Sequence, residues 1–190
     1  MASTNKREDI LSAALILFSE RGYDGTTIPM IAERANVGAG TIYRYFENKE
    51  YMVNILFQEC LLDFSESMKN VDLTASMNLR EKFYLLTNQM ITFAKAKPEQ
   101  LNFFDTHCTG YYLDDKSKML LGEYLDFLTS FIEEGKKSGV IQDLPSDALI
   151  SIIYGAFSHL FKLIHAGLIE ESPHLLESLV DCCWNAIKIH

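Results

Sequence analysis

The chain has 190 residues, 48% of them apolar and only four of them proline, a composition that supports a sizeable core and favours helix over sheet. No apolar run approaches the ~20 residues of a membrane span, and the polar start MASTNKRED lacks the apolar stretch of a signal peptide, so no membrane partner is expected and the cytoplasm is the expected compartment. A net charge of −9 argues against indiscriminate polyanion binding, but the acidity is uneven: residues 1–50 hold six Lys/Arg against seven acids, and the excess lies beyond them.

Helix one is predicted over 5–21, with Ile10, Leu11, Ala14, Leu15 and Phe18 facing inward, Gly22 ending it and Tyr23 closing a small core. Thr27 is a good N-cap for a second helix, Pro29 falls in its first turn, and Ile28, Ile31, Ala32 and Ala35 form one apolar face. The chain turns at Asn36-Val37-Gly38 and restarts, with Ile42 and Phe46 on the buried side of a third helix. Asn48 can cap a long fourth helix carrying Tyr51, Met52, Ile55, Leu56, Leu62 and Phe64. Ser67–Asn78 reads as a connector, Leu79–Ala96 as a helix ended by Lys97-Pro98, Glu99–Thr109 as a short helix, and 110–115 as a break. A seventh helix is expected over Lys116–Lys137, stopped by Gly139. An eighth runs from a Ser146 cap to about Ala166, and a ninth from Ser172-Pro173 to Ile189.

Two short helices about a tight turn, within residues 26–50, read as a helix-turn-helix. Ala39 and Gly40 at the start of its second helix permit close backbone approach to DNA. Thr41 offers a hydroxyl or a methyl group, Tyr43 and Tyr45 can donate to phosphates, and Arg44 is the long donor able to engage guanine bidentately. Lys49 is placed for phosphate, as is Thr27 through its hydroxyl and the neighbouring amides.

This block resembles the DNA-binding domain of TetR-family transcriptional repressors. The likeness is carried by Ile31-Ala32, Val37-Gly38, Gly40-Thr41-Ile42-Tyr43, Phe46 and Asn48-Lys49-Glu50, and it extends back to Phe18-Ser19-Glu20-Arg21-Gly22-Tyr23. The resemblance implies an all-α protein of about nine helices. Residues 1–50 would be a three-helix DNA-binding domain, and 51–190 a helical domain that dimerises and binds an effector. It assigns DNA contact to Thr27, Ala39, Gly40, Thr41, Tyr43, Arg44, Tyr45 and Lys49. Many relatives carry a long polar side chain where Ala39 stands, so specificity here would rest on Arg44, apolar contacts and DNA shape. The implied activity is that of a repressor released from a palindromic double-stranded operator when a lipophilic or aromatic small molecule shifts the fourth helix.

Candidates for that effector's pocket are the aromatic and polar residues of the middle helices: Phe93, Phe103, Phe104, His107, Tyr111, Phe127, Phe131, Tyr154, Phe157 and Phe161. The last two helices are more apolar than one packing partner requires. Ile152, Gly155, Ala156, Leu176, Leu179, Val180, Cys183 and Trp184 are the candidates for a homodimer interface. The four cysteines, Cys60, Cys108, Cys182 and Cys183, have no zinc-ligand spacing and read as structural thiols, so no metal and no cofactor is expected. No nucleophile elbow, phosphate loop or HExxH motif points to an enzyme. The alternative reading is a helical partner-binding protein without DNA specificity, which leaves Thr41, Arg44, Tyr45 and Lys49 unexplained.

Overall fold

A computed structural model describes residues 6–74 and 76–189; Asn5, the expected first residue of helix one, and His190 lie outside them. Among the described residues there are nine helices and no strand. They are α1 (Lys6–Arg21), α2 (Ile28–Arg34), α3 (Ala39–Ile42), α4 (Lys49–Lys69), α5 (Leu79–Ala96), α6 (Pro98–His107), α7 (Asp115–Lys137), α8 (Ser146–His165) and α9 (Pro173–Ile187). The chain divides into two compact units. One holds the described residues through Asp63 together with Lys97–Leu121; the other holds Phe64–Ala96 and the residues from Gly122 onward.

In the first unit α1 packs on both α2 and α6, which widens its buried arc. Ala13 and Leu17 are therefore buried alongside Ile10, Leu11, Ala14 and Phe18, while Leu15 is only half-buried, contrary to the single stripe expected from the sequence. Gly22, with φ 67°, makes the left-handed stop of α1 that other residues adopt at a cost. The Thr26 hydroxyl then donates to the Leu17 and Gly22 carbonyls at the C-terminal end of α1. In α4, Met52, Val53, Leu56, Phe57, Cys60 and Leu61 are buried, whereas Tyr51 and Leu62 of the expected stripe are exposed. Phe57 stacks on Phe104 of α6 with centroids 5.7 Å apart.

The second unit is built around Phe83, Leu86, Met90, Phe93, Tyr124, Ile132, Leu149, Phe157, Val180 and Trp184. α4 continues to Lys69 rather than ending near Ser67, because Met68 is buried and the Ser67 hydroxyl accepts from Gln89 Nε2 at 2.6 Å. Ser146 is not the N-cap of α8. Pro145 holds that position, and the Ser146 hydroxyl is engaged with Glu133 and Lys136 of α7, which hold the Glu133 carboxyl below its usual range. α9 stops at Ile187 rather than Ile189, since the Ile189 amide donates to the Val140 carbonyl and Ile141 forms a bridge with Lys188.

α8 departs most from expectation. By length and composition it is apolar enough to cross a membrane, so the expectation that no run comes near that threshold fails, and only 17% of its most apolar stretch is buried in the chain. Ile152 and Gly155 are exposed and Ala156 is half-buried on it. On α9, by contrast, Leu176, Val180, Cys183 and Trp184 point into the unit's own core, Trp184 lying 5.2 Å from Phe83 between ring centroids. These four of the interface candidates are core residues; Leu179 is half-buried.

Candidate nucleic-acid interface and ligand cavity

α2 begins as its residues dictate: Thr27, in extended conformation, accepts from the Met30 amide, and Pro29 sits in the first turn. The turn after it is made by Asn36 at φ 52°, a left-handed conformation that asparagine tolerates better than most residues. α3 is a single turn, Ala39–Ile42, shorter than the recognition helix expected. The chain beyond it stays wound because Tyr45 and Phe46 both donate to the Ile42 carbonyl at 2.9 Å. Ile42 and Phe46 are fully buried and anchor the segment. Around that anchor Ala39, Gly40, Tyr43, Arg44 and Tyr45 are exposed, Thr41 is half-buried, and Thr27 is exposed on α2. Tyr43, at 57% exposure, is a surface residue and not core.

Gly40 has no left-handed φ, and a methyl group added to it would meet nothing within 4 Å. Neither backbone conformation nor internal packing calls for glycine there.

Lys49 occupies a different setting from the other candidates. Its ammonium donates to the Tyr23 and Thr26 carbonyls at 2.9 and 3.1 Å and lies 4.0 Å from the Tyr23 ring centroid, so it ties the start of α4 to the α1–α2 turn. Asn48 caps α4 by accepting from the Tyr51 amide at 2.7 Å.

The aromatic candidates for an effector pocket separate into two groups. Phe103, Phe104 and His107 are buried in the first unit. His107 Nε2 donates to the Phe18 carbonyl at 3.1 Å, Nδ1 faces the Tyr112 hydroxyl, and burial pushes its pKa below the ordinary value. Tyr111 is exposed and donates to Asp24. In the second unit a cavity of about 70 Å³ is lined by Met68, Phe83, Leu86, Thr87, Met90, Tyr124, Leu128, Phe131, Ile132, Ile150, Ile153 and Tyr154. Of the ten aromatic and histidine candidates, Phe131 and Tyr154 reach it. Phe93 and Phe157 are buried elsewhere, and Phe127 and Phe161 are half-buried. Reading the sequence for aromatic residues missed the aliphatic lining, whose only signal was apolar periodicity on four helices, α4, α5, α7 and α8.

No cavity-lining residue carries a formal charge. Among the described residues no group of three His, Cys, Asp or Glu is arranged to hold a metal ion. Cys60 and Cys183 are buried, with thiols pushed up to about 12 and about 11 by that burial, as structural thiols would be, whereas Cys182 is exposed and Cys108 half-buried.

The decisive comparison is with family models. Residues 10–55 match the model of bacterial regulatory proteins of the TetR family, and residues 57–189 match the tetracyclin repressor-like C-terminal domain. The chain belongs to the TetR family. It is 32% identical over 173 residues to the HTH-type transcriptional regulator YvkB of Bacillus subtilis, covering 86% of each chain. To the fatty acid metabolism regulator protein of the same organism it is 29% identical over 140 residues, covering 73% of this chain and 72% of that one. The crystal structure of the B. subtilis regulator FadR in complex with stearoyl-CoA superposes with a TM-score of 0.70 at 23% identity, covering 97% of this chain and all of that one. As a TetR-family member the chain is a DNA-binding transcriptional regulator, not an enzyme.

Proposed function

We propose that this TetR-family protein is a homodimeric repressor that binds a near-palindromic operator and is released from it by an uncharged, lipophilic small-molecule segment. The observation that carries the DNA reading is the exposed run of Ala39, Gly40, Tyr43, Arg44 and Tyr45 wound over the buried Ile42–Phe46 anchor. Arg44 reads a base edge, the tyrosines and Thr27 hold phosphates, and the bare Ala39–Gly40 backbone lies close to the groove.

The exposed apolar surface of α8, with Gly155 permitting close approach, supports dimerisation through that helix and Leu179 of α9. Two-fold pairing presents two readers to successive major grooves, about 34–36 Å apart.

The cavity is far below the ~300–1,000 Å³ of a typical ligand pocket. A ligand larger than a few carbon atoms must part α5, α7 and α8, and it shifts the equilibrium only insofar as it prefers that widened state. Its uncharged lining suits a hydrocarbon segment and offers no counter-charge to a buried cation or carboxylate. An acyl chain meets that requirement, and a protein of this fold has been crystallised with stearoyl-CoA.

Selection of source-genome fragments on the purified protein, with Tyr43→Ala/Arg44→Ala as control, tests the reading. Recovery of a few near-palindromic sites by the wild type alone is the expected result. Equal recovery of the same sites by both would remove Tyr43 and Arg44 from the reader.

A further inference from the structure

Tyr112 is buried where several elements of the first unit meet. Its hydroxyl donates to His107 Nδ1 of α6, its carbonyl accepts from Asn54 Nδ2 of α4 at 2.8 Å, and its ring stacks on Tyr23 of the α1–α2 turn with centroids 4.0 Å apart and planes at 21°. Gly110 leaves the room: a Cβ there would stand 2.5 Å from Tyr112 Cζ, while the φ of Gly110 lies outside the left-handed range, so glycine is required for its size and not its conformation. The α6–α7 connector is already fastened to α4 without this ring. The Asp114 amide and the Ser117 hydroxyl both donate to Asn54 Oδ1 at 2.8 Å, and Gln58 Nε2 donates to Ser117. The stack on Tyr23 is additional to those bonds.

Tyr23 passes the constraint to Lys49. The ammonium rests 4.0 Å from the Tyr23 ring centroid and donates to the Tyr23 and Thr26 carbonyls. An ammonium has three donors, and two of them aimed at these carbonyls fix the direction of the third. A cation aligned in this way meets a phosphate without first losing rotamer freedom. We propose that Tyr112 is a positioning residue for DNA binding: through Tyr23 it sets the Lys49 ammonium for a phosphate contact. The proposal rests on the operator-binding reading above.

The test uses full-length protein and a near-palindromic duplex recovered in the genomic selection, with affinity followed by fluorescence anisotropy from low to physiological salt. Tyr112→Phe keeps the stack and loses only the bond to His107, and should restore binding to within about twofold of wild type. Tyr112→Leu should bind roughly tenfold more weakly, with a salt dependence shallower by about one for each Lys49 withdrawn. Tyr23→Leu, at a half-buried site, should reproduce the shallower slope where the Tyr112 change impairs folding. Wild-type slopes in both leucine variants, whatever their thermal stability, would reduce Tyr112 to a packing residue and overturn the proposal. A genomic selection from which the wild type recovers no near-palindromic duplex would remove the operator-binding reading and the proposal together.

Discussion

Gly40→Ala separates fold from function at the reader. In the free protein the added methyl meets no atom within 4 Å, and the position lies inside α3 with an ordinary φ. Alanine there costs no contact and removes backbone entropy from the unfolded chain, so stability should rise by about 0.5–1 kcal/mol. For a domain of this size that is about 1–4 °C in Tm. At the operator the same methyl enters the space assigned to a base edge or sugar. Displacing a packed contact of that kind costs roughly 1–3 kcal/mol, a weakening of roughly 5- to 150-fold in Kd. Differential scanning calorimetry and anisotropy titration on one protein preparation measure both quantities, and opposite signs are expected. Operator affinity that stays the same or tightens while Tm rises would show that the groove does not approach Gly40. A fall in Tm would contradict the open surroundings on which the argument stands.

Burial holds His107 neutral, with its pKa below the usual 6.5. The unfolded chain therefore binds more protons at mildly acid pH, and stability should fall as pH drops below about 6.5 toward the folded value; thermal melts should lose that acid limb in His107→Gln, and an unchanged limb would assign it to other groups. Trp184→Ala should cost about 3–5 kcal/mol of stability through loss of core packing against Phe83, whereas Ile152→Glu on the exposed face of α8 should leave the protomer folded but monomeric by sedimentation and weak on its operator. Leu128→Trp fills the cavity of the second unit and should retain operator binding while abolishing release by a long-chain acyl-CoA; release at the wild-type ligand concentration would place the effector elsewhere.

Local signals determined the elements. Gly22 and Gly139 end helices through positive φ, Thr27 and Ser172 cap with their hydroxyls, and Pro98 and Pro173 stand at helix starts. Each depends on atoms within one turn of chain, which is why nine helices and the buried Ile42–Phe46 pair could be read in order. The sequence also marked the family, because the motifs around that turn keep a spacing that a short segment preserves. Tertiary structure decided what faces what. Leu17 rather than Leu15 is buried because α1 has two neighbours, and Trp184 belongs to the core although its helix looked like an interface. Aromatic residues that seemed one pocket divide between two units, and the cavity is mostly aliphatic. Lys49 looked like a free phosphate ligand, yet it also holds two carbonyls and a tyrosine ring contributed from outside its own helix. Periodicity reports that a face is apolar but carries no information about its partner; that choice is made by packing between segments distant in the chain, as when Tyr112 meets Tyr23.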